Sequence, residues 1–271
     1  MEKEKPIGVF DSGIGGLTVV KRIVSYLPLE DIVYFGDTAR VPYGSKSNDT
    51  IIEYGLQDAK FLMHKNIKAL VVACNTVSSV ALNNLKDSFD IPIIGMIEPG
   101  AKMASLETKN KRVGVIGTRS TISNQAYSKK IKSIDPSIHI FERACPLFVP
   151  LAEEGWTNHT ATYEIAREYL KEFIKIGVDT LVLGCTHYPI LAEVIQNIVG
   201  KDVKLIDSGI AAAESVKEEL DRYNLHSNKS SQGNQSFYVS DIPMKFKELA
   251  ELFLGKPISE VQKIEIESLT G

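Results

Sequence analysis

Two segments of the chain repeat each other, and the repeat constrains the fold more than any other feature. "IGVFDSGIGGLTV" from Ile7 resembles "VGVIGTRSTISNQ" from Val113: an apolar strand, a small polar turn, then a helical pattern. "VVACNT" (71–76) is matched, in the same order and at similar separation, by "LVLGCTH" (181–187). A duplicated strand–turn–helix unit predicts two related α/β lobes. A third echo, "IDSG" at 206–209 against "FDSG" at 10–13, falls outside this register. It is read as the strand on which the chain returns to the first lobe. The expected organisation is a discontinuous first lobe, residues 1–97 plus 208–271, and a second lobe, residues 98–207.

Short apolar strands are predicted at 7–10, 32–35, 68–73, 91–96, 112–117, 138–141, 180–184, 203–207 and 236–240. Helical patterns separate most of them. Near-continuous apolar strands with helices between them predict mainly parallel sheets covered on both faces, so each lobe is expected to have three layers. The helical segment 157–177 carries Thr157 and Asn158 as cap candidates and Gly177 as a stop. The polar stretch 226–236 reads as a surface loop.

The charge balance excludes some partners. Lys and Arg number 31 against 34 Asp and Glu, a net charge of −3, and the basic residues are scattered. That leaves no footprint for nucleic acid or an anionic membrane. No apolar run is long enough to span a bilayer, and "MEKEKPIGVF" lacks the apolar region of a secretory signal. Three cysteines far apart do not make a disulfide framework, so a reducing cytoplasm is the expected compartment.

In open parallel sheets, ligands bind beyond the carboxyl ends of the strands. At those ends sit Asp11, Ser12, Asp37, Cys74, Asn75, Thr76, Thr118, Ser120, Thr121, Cys185, Thr186 and His187. Two facing lobes would gather them around one cleft. Cys74 and Cys185 hold equivalent places, each ahead of a predicted helix whose N-terminus favours a thiolate. Cys145 reads as a core residue. Zinc is disfavoured because Cys185-x-His187 is the only short ligand spacing. The "DSGIGG" turn departs from a dinucleotide fingerprint at Thr18, and no G-K-[ST] follows. It reads as a tight turn whose amides hold a small anion such as a carboxylate. Asp11 is either a helix cap or a proton acceptor beside a thiol. His187 is either a core histidine or the partner of Cys185. Arg40 and Arg119 read as solvated surface residues.

Opposed thiols from two related lobes suit a reaction with mirror symmetry. In a racemisation, one thiolate removes a Cα proton and the opposite thiol returns one to the other face. Small donors such as Asn75, Thr76, Thr118, Thr121 and Thr186 suit a substrate bearing carboxylate and ammonium groups. Each could alone be a cap or turn residue. No lysine has a Schiff-base setting, so no cofactor is expected. Two other readings stay open: an amidohydrolase using one thiol as nucleophile, and a two-lobed amino-acid-binding protein without catalysis.

The motifs "FDSGIGGL", "YFGDTARVPYG", "ACNT", "GTRST", "CPLFVPLAEEG" and "GCTHYP", in this order, resemble the cofactor-independent aspartate/glutamate racemase superfamily. "VPYG" together with "GCTHYP" narrows the resemblance to its glutamate-specific members; aspartate- or hydantoin-specific relatives are the nearest rivals. The resemblance implies interconversion of L- and D-glutamate, supplying D-glutamate for peptidoglycan. It implies that Cys74 takes the proton from D-glutamate with help from Asp11, and Cys185 from L-glutamate with help from His187. A glutamate of "PLAEEG" joins the catalytic set, assigned to Glu153 with Glu154 as the alternative. Asp11, Ser12, Tyr43, Gly44, Asn75, Thr76, Thr118, Thr121, Thr186 and His187 would hold substrate. A homodimer is expected. Some relatives carry an N-terminal extension linked to activation by a cell-wall precursor; six residues precede the first strand here, so no such activator is expected.

Overall fold

The computed structural model describes residues 2–242, 246–258 and 260–265. Residues 1 and 266–271, the outer ends of the span expected for the first lobe, lie outside the described residues, as do 243–245 and 259. Ten strands are present among the described residues. They are β1 (Ile7–Asp11), β2 (Ile32–Gly36), β3 (Ala69–Val72), β4 (Ile93–Gly95), β5 (Arg112–Gly117), β6 (His139–Ala144), β7 (Thr180–Gly184), β8 (Lys204–Asp207), β9 (Gln235–Val239) and β10 (Val261–Lys263).

They form a six-stranded sheet, β10-β9-β2-β1-β3-β4, and a four-stranded sheet, β6-β5-β7-β8. Every pairing is parallel. The run β2-β1-β3-β4 and the run β6-β5-β7-β8 have the same order, so the sequence repeat is a repeat of topology. In each run the order reverses between the first strand of the unit and the third, at β1/β3 and at β5/β7. Crossover helices leave to opposite faces there and open a crevice at the carboxyl edge.

The strands β1, β2, β3 and β7 are buried along their whole length. Helices on both faces require this, which is why these strands read as continuous apolar runs rather than alternating ones. The helix Ser208–Arg222, which follows β8, packs on Leu17–Tyr26 and on Ile97–Glu107. One apolar cluster runs through Val20, Ile23, Ala212, Val216, Leu181 and Leu183, so the core is continuous from one sheet to the other. No helix among the described residues is long and apolar enough to cross a membrane.

The "DSG" echo is a shared local geometry. Gly13 N donates to Asp11 Oδ2 at 3.1 Å, and Gly209 N donates to Asp207 Oδ1 at 2.8 Å. In both, an aspartate ending a strand closes the turn two residues on. Strand β8 is the edge of the smaller sheet, and the return to the larger one comes after it, through the helix that Asp207 caps.

Two local expectations need correction. The helix Thr160–Ile176 is capped by His159, whose Nδ1 accepts from Ala161 N at 3.1 Å, not by Thr157 or Asn158. The His159 ring also stacks on Trp156, with centroids 4.3 Å apart, and this fixes it as the cap. Gly177 does end that helix, in the left-handed conformation that glycine adopts without a Cβ penalty. Strand β10 was not expected, because only three residues of a half-polar segment pair with β9.

Candidate active site

The segments leaving β1, β2, β3, β5, β6 and β7 line one cavity of about 390 Å³. Ser12 and Gly13 follow β1, and residues 41–45 follow β2. Cys74, Asn75 and Thr76 follow β3, and Thr118 with Arg119 follow β5. Pro146, Val149, Pro150 and Glu153 come after β6, and Cys185, Thr186 and His187 after β7. Both thiols therefore lie on the wall of one cleft, each beside the switch point of its own sheet. A larger groove, about 910 Å³, runs along the edge strand β4 and is lined by no cysteine or histidine.

Each thiol has its own polar partner. Cys74 Sγ lies 3.3 Å from Ser12 Oγ, and Cys185 Sγ lies 3.9 Å from His187 Nδ1. His187 Nε2 in turn meets Glu153 Oε1 at 3.0 Å. Glu153 closes the helix Phe148–Glu153 and faces the cavity; Glu154 does not line it. Asp11 is fully buried behind the cavity wall, bonded to Gly13 N and 3.4 Å from Thr186 Oγ1. Ser12, not Asp11, is the direct partner of Cys74. The small anion held by the glycine-rich turn is thus the carboxylate of Asp11 itself.

The two halves touch at several points. Thr76 Oγ1 is 2.9 Å from Thr118 Oγ1, and Thr118 Oγ1 is 3.0 Å from Thr121 Oγ1. Asn75 Oδ1 accepts from the Tyr127 hydroxyl at 2.7 Å, while its Nδ2 lies 3.4 Å from Ser208 Oγ. The Thr18 hydroxyl is 2.9 Å from the carbonyl oxygens of both Gly15 and Thr186. Thr18, the residue that broke the dinucleotide fingerprint, is therefore a bridge to the turn that carries the second thiol. Gly15 fits beneath that turn because it has no side chain. A Cβ there would lie 2.3 Å from Thr186 Oγ1 and 2.5 Å from His187 Nδ1. Such overpacking costs about 1–3 kcal/mol, so Gly15→Ala is expected to destabilise the fold by about that much. Urea unfolding checks this; an unchanged midpoint would show that the two turns yield without cost.

A profile of the Asp/Glu/Hydantoin racemase family matches residues 7–216. The chain belongs to the Asp/Glu/Hydantoin racemase family. A glutamate racemase of Geobacter metallireducens is 52% identical over 264 residues, covering 97% of this chain and 98% of the relative. The crystal structure of a glutamate racemase from Francisella tularensis in complex with D-glutamate superposes with a TM-score of 0.92 at 41% identity, covering 98% of this chain and 99% of that one. A Bacillus anthracis glutamate racemase structure gives 0.93 at 35% identity, covering 97% and 98%. The protein is an enzyme, an isomerase with the racemase fold.

The racemase cleft is electrostatically unequal on its two sides. Burial, the neighbouring Asp11 carboxylate and the second thiol push Cys74 up to about 12, against the weaker pull of Ser12 and the Val77 amide. The helix N-terminus that Cys74 caps does not make it a resting thiolate; desolvation wins. Burial also raises the Asp11 carboxyl, opposed by His187 and the Gly16 and Gly13 amides. Burial on its own would lower His187. Hydrogen bonds and charge interactions with Cys185 and Glu153 outweigh it and raise the imidazole to about 10. The side facing His187 thus carries an imidazolium at neutral pH, while the Cys74 side carries a thiol.

Other residues differ from expectation. Arg40 is no solvated surface residue: it bonds Asp37 Oδ2 at 2.5 Å and Asp58 Oδ1 at 2.9 Å. Two buried aspartate side chains compensate its desolvation by hydrogen bonding. Arg119 is exposed, as expected, yet it lines the cleft. Cys145 is buried in the core, with Arg143 O 3.7 Å from its sulfur, and does not line the cavity. Tyr43 lines the cavity, but its hydroxyl is committed to Asp37 and Asp58. The apolar wall, Val41, Pro42, Pro146, Val149 and Pro150, was not singled out in the sequence, although its prolines stand inside "VPYG" and "CPLFVP".

Proposed function

We propose that this racemase interconverts L- and D-glutamate without a cofactor, by proton transfer at Cα between two thiols. The observation that carries the reading is that Cys74 and Cys185 leave topologically equivalent strands of two sheets and line one cavity. One sulfur on each face of a bound Cα is what inversion requires. Glutamate is assigned because the relatives of 35–52% identity are glutamate racemases, one of them complexed with D-glutamate.

Cys185 removes the Cα proton of L-glutamate and Cys74, resting as the thiol, delivers its own to the opposite face; D-glutamate reacts in reverse. Ser12 and Asp11 manage the Cys74 proton, and His187 with Glu153 the Cys185 proton. Ser12, the 43–44 segment, Asn75, Thr76, Thr118, Thr121 and Thr186 hold the amino acid, and Arg119 supplies a positive side chain at the wall for a substrate with two carboxylates. The sheet memberships support a first lobe of residues 1–97 and 208–271 and a second of 98–207. A cytoplasmic homodimer that supplies D-glutamate for peptidoglycan completes the reading.

The test is to incubate the protein in D₂O with each enantiomer, adding no cofactor. Proton NMR follows loss of the Cα hydrogen and circular dichroism follows the optical signal. Both enantiomers are expected to exchange and converge on the racemate. Exchange and inversion of aspartate with none of glutamate would reassign the substrate; no exchange with either would sink the reaction.

Glu153 gives a second, sharper check. The His187 imidazolium persists below its pKa of about 10 and is lost above it. Glu153 is one of the groups that favour the charged form, so Glu153→Gln moves that pKa down, toward the ordinary value near 6.5. The alkaline limb of kcat/KM is expected to fall at lower pH in the variant than in the parent. The equilibrium constant between enantiomers is unity, so the shift must be the same in both directions. Superimposable profiles would mean that Glu153 does not set the charge on His187.

A further inference from the structure

Residues 41–45 form an unbroken stretch of the cleft wall, yet only a short 3-10 turn, Tyr43–Ser45, gives them regular structure. They also press on the opposite half: a Cβ on Gly44 would lie 2.8 Å from Thr118 Cβ. A rim that spans the cleft this closely needs an anchor, and the anchor is under Tyr43. Its ring is buried, with the Tyr54 ring centroid 5.4 Å away and Arg40 stacked 4.1 Å over Tyr54. Its hydroxyl meets two buried carboxyl groups, Asp37 Oδ2 and, at 3.1 Å, Asp58 Oδ2. Arg40 bonds both carboxyl groups and Gln57, and the Ser240 hydroxyl donates to Asp37 Oδ1 at 2.7 Å.

We infer that Asp37, Arg40 and Asp58 are positioning residues of this enzyme, holding the Tyr43 hydroxyl and through it the 41–45 rim against which substrate binds. This rests on the amino-acid racemase reading above and adds to it the device that sets substrate affinity.

The hydrogen count distinguishes the two carboxylates. Asp37 accepts at both oxygens, from Tyr43 and Arg40 at one and Ser240 at the other, so it serves as the carboxylate. Tyr43 has one hydroxyl hydrogen, and Asp37 takes it. Asp58 can bond the same hydroxyl only by donating, as the carboxylic acid, while its other oxygen accepts from Arg40 at 2.9 Å. The cluster is then charge-balanced, one guanidinium with one carboxylate. Burial and the nearby Asp37 charge hold the Asp58 carboxyl well above the usual range, in agreement with this count.

The experiment compares KM and kcat for glutamate in the parent enzyme and in Asp37→Asn, Asp58→Asn, Asp58→Ala and Tyr43→Phe. An asparagine at 58 donates with its NH₂ and accepts with its oxygen, as the acid does. An asparagine at 37 removes the one negative charge that balances Arg40 and weakens the acceptor that holds the Tyr43 hydroxyl. Losing such a buried hydrogen bond is worth about tenfold, so Asp37→Asn, Asp58→Ala and Tyr43→Phe are expected to raise KM about tenfold with kcat within about threefold, and Asp58→Asn to match the parent. A merely structural role would lower the active fraction, and hence kcat, with KM unchanged; that result overturns the inference. So does Asp58→Asn failing as badly as Asp58→Ala. The parent measured alongside separates the two readings, since a parent that turns over glutamate beside variants of unchanged KM defeats the cluster and leaves the substrate assignment standing.

Discussion

Cys74→Ser and Cys185→Ser are each expected to abolish racemisation, with kcat/KM down by at least about 10³-fold, while each leaves one face of Cα open to exchange. The reason is geometric. Inversion needs a base on one face and an acid on the other, and the two sulfurs come from different sheets. When one is lost, the survivor can still remove a proton, trade it with solvent and return it to the same face. In D₂O, Cys74→Ser is expected to exchange the Cα hydrogen of L-glutamate without inverting it, and Cys185→Ser to do so for D-glutamate. NMR and circular dichroism on the same samples separate exchange from inversion. A single-thiol variant that still inverts at the parent rate would defeat the two-thiol mechanism. One that instead accumulates a covalent acyl-enzyme would restore the amidohydrolase alternative.

The largest expected effect on stability lies away from the cleft, at Lys68. Its side chain is fully buried and its ammonium forms three bonds: to Glu30 Oε2, to Lys3 O at 2.6 Å and to Leu225 O at 2.8 Å. Those bonds tie the start of β3 to the N-terminal segment and to the chain leaving the helix Ser208–Arg222. Lys68→Met removes a buried cation and leaves the Glu30 carboxylate with the Ser227 amide, 2.8 Å away, and the more distant His226. Breaking a buried pair from one side costs about 3–5 kcal/mol. The expected result is a markedly lower urea midpoint with an unchanged slope. Lys68→Met combined with Glu30→Gln should recover part of the loss, because no uncompensated charge is then buried. A single variant as stable as the parent would show that Glu30 finds water or another partner.

The sequence carried the sheets and the two thiols because both are written locally. A run such as "ALVV" in β3 is apolar at every position because helices cover both its faces, and the motif at its carboxyl end sits where parallel sheets place ligands. Equivalent placement of Cys74 and Cys185 was readable for the same reason, since a repeated unit repeats its strand order. What was not legible depends on residues distant in the chain. Arg40 looks like a surface residue until Asp58, on the helix Asn48–Met63, is brought beneath it. Asp11 looks like the partner of Cys74 until the turn folds its carboxylate back onto Gly13 and leaves Ser12 facing the sulfur. The thiolate expected from the helix N-terminus at Cys74 was outweighed by desolvation, a property of the packed interior that no motif records.

The contact between the turn after β1 and the turn after β7 has a mechanical meaning. Thr18 grips the Thr186 carbonyl, and Gly15 leaves no gap beneath Thr186 and His187. That junction is a stop set from both sides. The Thr18 bond limits how far the two turns can part and the Gly15 contact limits how near they can come, so the turn that carries Cys185 has one height above the first sheet.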